Sequence, residues 1–157
     1  TGSTGAAVAA ILRGLTAIVR SKSAVYNSAT SMGQQLFYSP SVFSYFSPQY
    51  RTEKGLFGPE LQIYSTQTAA TRADAVSQIL YGSLDRTTTV DLKPLMLLAD
   101  DTTKLVDTLD TWFLHSAMSS DLKQAAISAA NAATTPQRKV QAALYIVFTS
   151  GEYQIIH

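Results

Sequence analysis

Apolar residues recur at three-and-four spacing along most of the chain, with short polar breaks between the runs, and this is the signature of successive amphipathic helices. Over 6–29, Val8, Ile11, Leu12, Leu15, Ile18, Val19, Val25 and Tyr26 lay one stripe down a cylinder, with Arg13, Thr16, Arg20 and Asn27 off it. Pro59 is expected to open the next helix, with Glu60 in a first turn where negative charge meets the dipole favourably. Leu61, Tyr64, Val76, Ile79 and Leu80 form its buried face, and Gly82 is its C′ glycine. Its middle, 65–71, is a weak helix former and must be held by packing. After a polar break at 83–91, Pro94 to Ala99 reads as a short helix. Asp100 or Asp101 caps another, striped by Leu105, Val106, Leu109, Trp112 and Phe113. Ser119 or Ser120 caps an alanine-rich helix over 121–133. Thr135-Pro136 starts the last, with Val140, Ala143, Leu144, Val147 and Phe148 facing the core. The segment after it is too short to pack alone and is expected to return against the bundle.

One span breaks the pattern. Leu36 to Tyr64 contains Phe37, Tyr38, Phe43, Tyr45, Phe46, Tyr50, Phe57 and Tyr64, together with Pro40, Pro48 and Pro59. Ser39-Pro40 and Ser47-Pro48 turn the preceding residues away from helix, and Gly55 and Gly58 permit tight turns. Long connections without regular structure are uncommon, and are usually functional or packed by their own side chains. Rings bury much apolar surface, so Phe37, Phe43, Phe46 and Phe57 are expected inside. The fold class that follows is all-α. It is an irregular bundle of about five to seven helices with a long aromatic, proline-containing loop packed across it. The division is a long helix over 1–30, the loop over 31–58 and the bundle over 59–157, all in one domain.

Composition narrows the partners. Charged residues make up only 15% of the chain and apolar ones 46%, where about a quarter charged is usual. That balance suits a chain that covers part of its outside with another protein. The net charge is +1 with no basic run, which argues against nucleic acid. No apolar run approaches the ~20 residues of a membrane-spanning helix. The chain has no cysteine, which removes disulfides, thiolate metal sites and cysteine nucleophiles together. It begins TGSTG without methionine, and so reads as a fragment or a processed product.

Catalytic signatures are missing. The sequence has no glycine-rich phosphate loop, no HExxH pair and no GxSxG elbow. Asp107 and Asp110 share a helical face, but His115 is turned away from it, and a solvated acidic face is the simpler reading. A triad using His115 lacks any marked serine. Glu53 and Glu60 would act as paired carboxylates only if folded to within ~5 to 10 Å. No catalytic residue, metal site or cofactor is therefore assigned. Arg72 falls near the apolar stripe, where a cation is paired or snorkels outward. Arg138 and Lys139 sit in a first turn, against the dipole, and are expected to answer a carboxylate elsewhere.

Three stretches carry a family resemblance: MGQQLFYSPSVFSYFSPQYR (32–51), the GLFGPELQIYS run with its trailing Arg72 (55–72), and AALYIVFTSGEYQI (142–155). They resemble, in order, the C-terminal part of the bacterial family catalogued as domain of unknown function 1800. Leu61 stands where that family commonly has an aromatic, and Gly151 where it commonly has proline, which leaves the terminal turn looser. The resemblance implies a helical, often exported protein, frequently encoded beside a sulfatase-like partner, and considerably longer than this chain. The chain would then be a closing lobe. No catalytic residue is implied. The resemblance also implies that the aromatic segment, Glu60, Arg72 and the Glu152-Tyr153-Gln154 end meet in space.

Three functions remain open at this point. One is a non-catalytic interaction or scaffold lobe of an exported bacterial protein, docked on its own precursor or on another protein. A second is a carbohydrate- or peptide-binding module, with Tyr38, Tyr45, Tyr50, Arg51, Glu60 and Arg72 as candidate binding residues. The third is a hydrolase completed by an upstream portion, signalled by a cleft around Glu60 or His115.

Overall fold

The computed structural model describes residues 30, 38–42, 45–53, 55, 57–63, 65–82 and 90–154. All but Thr30 of the expected helix over 1–30, together with Phe37, Phe43, Tyr64 and most of the break at 83–91, lie outside the described residues, as do the side chains of Glu60 and Gln154. The fold is all-α. Five α-helices run in order among the described residues: α1 (Thr66–Tyr81), α2 (Lys93–Met96), α3 (Thr102–Leu109), α4 (Ser120–Asn131) and α5 (Pro136–Thr149). Short 3₁₀ turns occupy Pro59–Ile63 and Glu152–Gln154, and a π-helical turn, Asp110–Leu114, continues α3.

Local chemistry sets most helix ends. Asp101, Ser119 and Thr135 cap α3, α4 and α5, each accepting from the backbone N–H three residues on. Pro136 fills N1 of α5, where a missing N–H costs nothing. Gly82 ends α1 with φ 73°, a left-handed conformation that glycine adopts without strain. The start of α1 departs from expectation. Pro59 opens only a 3₁₀ turn, and the α-helix begins after Ser65. There a reciprocal capping box joins Ser65 Oγ to the Thr68 N–H and Thr68 Oγ1 to the Ser65 N–H. The weak-propensity stretch thus starts the helix; it is not its middle.

Side-chain contacts fix the helix directions. Thr102, at the start of α3, bonds Asn131, at the end of α4, while Asp107 further along α3 pairs with Lys123 near the start of α4. These two helices are antiparallel. Lys139 Nζ donates to the Ala99 carbonyl beside the start of α3, and Phe148 meets Phe113 beyond its end. Hence α5 runs parallel to α3, as a short loop between α4 and α5 requires. The C-terminal end of α1 abuts the N-terminal end of α5 through two ties. Gln141 Nε2, in a residue only 4% exposed, donates to the Leu80 carbonyl at 2.8 Å, and Arg138 lies over the Tyr81 ring at 5.5 Å. Arg138 and Lys139 therefore engage a ring and a carbonyl in place of the expected carboxylate.

Among the described residues the core is aliphatic with one large ring, Phe148. Val76, Ile79, Leu80, Leu105, Val106, Leu109, Val140, Ala143, Leu144, Val147 and Phe148 are all buried, as their spacing predicted. Trp112 is a correction. It was expected on the α3 stripe but is 50% exposed, while Leu114, off that stripe, is buried. The π turn explains both. The His115 N–H donates to the Asp110 carbonyl five residues back, so the widened turn carries one extra residue. Leu114, five beyond Leu109, then takes the inward position. His115 and Ser116 close the turn with φ 54° and 65°.

The C-terminal segment returns as expected. Tyr153 packs on Phe148 with centroids 5.0 Å apart, and Phe148 meets the edge of Phe113 at 4.8 Å. Glu152 accepts from the Ser119 N–H at 2.9 Å and from the Ser119 hydroxyl, clasping the cap of α4. No described helix is long and apolar enough to cross a membrane.

Candidate functional site

Residues 47–62 build a closed turn outside the hydrophobic core. Arg51 and Phe57 face each other as an isolated antiparallel bridge. Gly55, with φ 79°, reverses the chain between them, its N–H donating to the Thr52 carbonyl at 2.8 Å. The Gly58 N–H reaches back to the Tyr50 carbonyl at 3.4 Å, and the Gln62 amide oxygen accepts from the Ser47 N–H at 2.6 Å. The turn is thereby anchored to the 3₁₀ segment that precedes α1. Gly58 is buried, and a Cβ there would meet the tip of the Leu61 side chain at 2.9 Å, so a larger residue would displace that side chain.

Across this turn lies a cation–ring pair. The Arg51 guanidinium sits 5.6 Å from the Phe57 ring centroid, and its Nη1 donates to the Gly55 carbonyl at 3.2 Å. Phe57, expected inside, is 63% exposed. That expectation is corrected. The turn closes on itself, and among the described residues the core takes no member from 38–63, so nothing pulls this ring inward. Phe46 is half-buried.

The six candidate binding residues differ in exposure. Tyr38 is 71% exposed and Tyr45 and Tyr50 are half-buried, while Arg51 stands exposed on the turn. Glu60 is backbone in the 3₁₀ segment, its side chain outside the described residues. Arg72 is buried within α1, 4% exposed. The terminal Glu152 goes to Ser119 and Tyr153 to Phe148, so neither of these contacts joins the aromatic segment. Sequence spacing missed Phe57 as the partner of Arg51. The available signal was Arg51 and Phe57 flanking a turn glycine, Gly55.

The acids serve the fold. Asp101 caps α3, Asp107 pairs with Lys123, Asp110 accepts from the Met118 N–H at 3.0 Å, and Glu152 holds Ser119. Asp107 and Asp110 thus have separate partners. His115 is exposed at the end of the π turn. Among the described residues no group of three His, Asp or Glu could hold a metal ion.

One family matches residues 6–155, nearly the whole chain, and its description is protein of unknown function (DUF1800). The chain belongs to this family. Within DUF1800 the match spans the closed turn, all five helices and the Glu152 clasp. Comparison with curated proteins and with solved structures gives no match.

Proposed function

We propose that this chain is a non-catalytic interaction lobe of an exported bacterial protein, the setting its family resemblance suggests. It docks on the remainder of its own precursor or on another protein. The observation that carries this reading is the exposed Arg51–Phe57 pair, held on a closed turn with its ring 63% exposed. Arginine and aromatic residues are the types enriched at protein–protein interfaces and at their energetic centres. The acids add support from the other side, because Asp101, Asp110 and Glu152 are occupied as a cap and as clasps on backbone N–H groups.

Site-specific photocrosslinking in cells tests the reading. A benzophenone amino acid placed at Phe57 should form polypeptide crosslinks well above the yield from the exposed polar site Gln137. Equal yields at the two positions would refute an interaction role for this surface.

A further inference from the structure

We propose that Arg51 and Phe57 form a recognition site for a peptide carboxylate carried beside an apolar side chain, an inference that rests on the interaction-lobe reading. A guanidinium offers five N–H donors in a planar fork. One nitrogen, Nη1, is committed to the Gly55 carbonyl, and the guanidinium carbon lies 5.6 Å from the Phe57 ring centroid. The Nε–Nη2 edge remains, and two parallel N–H groups on such an edge match the two oxygens of a carboxylate. No ion pair engages Arg51 among the described residues, Glu53 included.

The fork is also held in place before any ligand arrives. The Arg51–Phe57 bridge, the left-handed Gly55 and the Ser47–Gln62 bond fix the turn that carries it. A cation already hydrogen-bonded and held beside a ring loses less freedom on binding than a free surface arginine. The exposed part of the Phe57 ring, beside the fork, supplies the apolar contact. A carboxylate is favoured over a phosphate because one planar, singly charged fork suits one planar, singly charged acceptor, whereas phosphate sites recruit clustered arginines or helix N-termini. A peptide is favoured over a sugar because the ring pairs among the described residues lie between Trp112 and Tyr153, away from this span.

The test is an NMR titration of the full chain with N-acetyl-Leu-Glu-amide, its neutral counterpart N-acetyl-Leu-Gln-amide, and methyl phosphate. The acidic peptide should give saturable shifts of the Arg51 Nε–H and of the Gly55 and Gly58 amides. Binding should weaken about tenfold for the neutral peptide and for Arg51→Lys, which keeps the charge but loses the fork. Retained hydrogen-exchange protection of the Gly55 and Gly58 amides in free Arg51→Lys shows that the turn survives, and Phe57→Leu provides a second variant that weakens binding by loosening the guanidinium. Absence of saturation, equal response to both peptides, or tighter binding of methyl phosphate overturns the site. Crosslinks at position 57 without carboxylate dependence would remove this site and leave the interaction lobe standing; loss of both would remove both.

Discussion

Glu152→Ala should loosen the molecule at a point remote in sequence from the change. The Glu152 carboxylate accepts two hydrogen bonds from Ser119, the residue that caps α4 by accepting from the Leu122 N–H at 3.2 Å. A hydrogen bond to a charged group contributes about 1.5–3 kcal/mol when well shielded. Ser119 is exposed, so water replaces much of that, and about 1 kcal/mol is the reasonable share. A negative charge at a helix N-terminus adds roughly 0.3–1 kcal/mol. Together the loss comes to about 1.5 kcal/mol, a fall of about 3–6 °C in Tm for a chain of this size. Urea and thermal unfolding followed by circular dichroism measure it. The companion variant Ser119→Ala removes the cap as well, at about 1 kcal/mol. Because the two side chains touch, the double variant should lose less than the sum, by about 0.5–1 kcal/mol. A Glu152→Ala cost below about 0.3 kcal/mol, or strict additivity, would show that the clasp contributes nothing to stability in solution.

Two further expectations follow from packing and backbone. Phe148→Ala, at a fully buried ring between Phe113 and Tyr153, should cost about 3–5 kcal/mol and release Tyr153, read as lost denaturant stability and a brighter, more exposed tyrosine signal. Gly82→Ala and Gly151→Ala should move stability in opposite directions. Gly82 has φ 73° and should cost about 1 kcal/mol, whereas Gly151 has neither positive φ nor any atom near an added Cβ and should gain about 0.4–1 kcal/mol. Equal effects in thermal melts would contradict the backbone assignment.

Much of the helical layout was legible in the chain because its signals are local. Thr135-Pro136, Asp101 and Ser119 announce helix starts through side chains that reach only three residues along, and Gly82 announces an end. The stripe from Val140 to Phe148 needs no more than regular α geometry to face one way. The capping box of Ser65 and Thr68 was equally local, yet it was masked by Pro59, a stronger-looking start signal that yields only a 3₁₀ turn. The candidate site was less legible. Arg51 was identified, whereas Phe57 was assigned to the interior and is exposed.

What the sequence determined by itself, then, was most of what is set within a turn or two of helix: the caps of α3, α4 and α5, the α5 stripe, the C′ glycine and the all-α class. Tertiary structure alone decided which rings stay wet and which charges meet. One extra residue in the π turn sent Trp112 outward and Leu114 inward, because a period of five replaced a period near four at a single step. Glu152 found Ser119 thirty-three positions away, and Gln141 found Leu80 sixty-one away. No spacing rule reaches across such separations. Only the chain's return brings those groups within hydrogen-bond range, and the same closure leaves Arg51 and Phe57 on the outside.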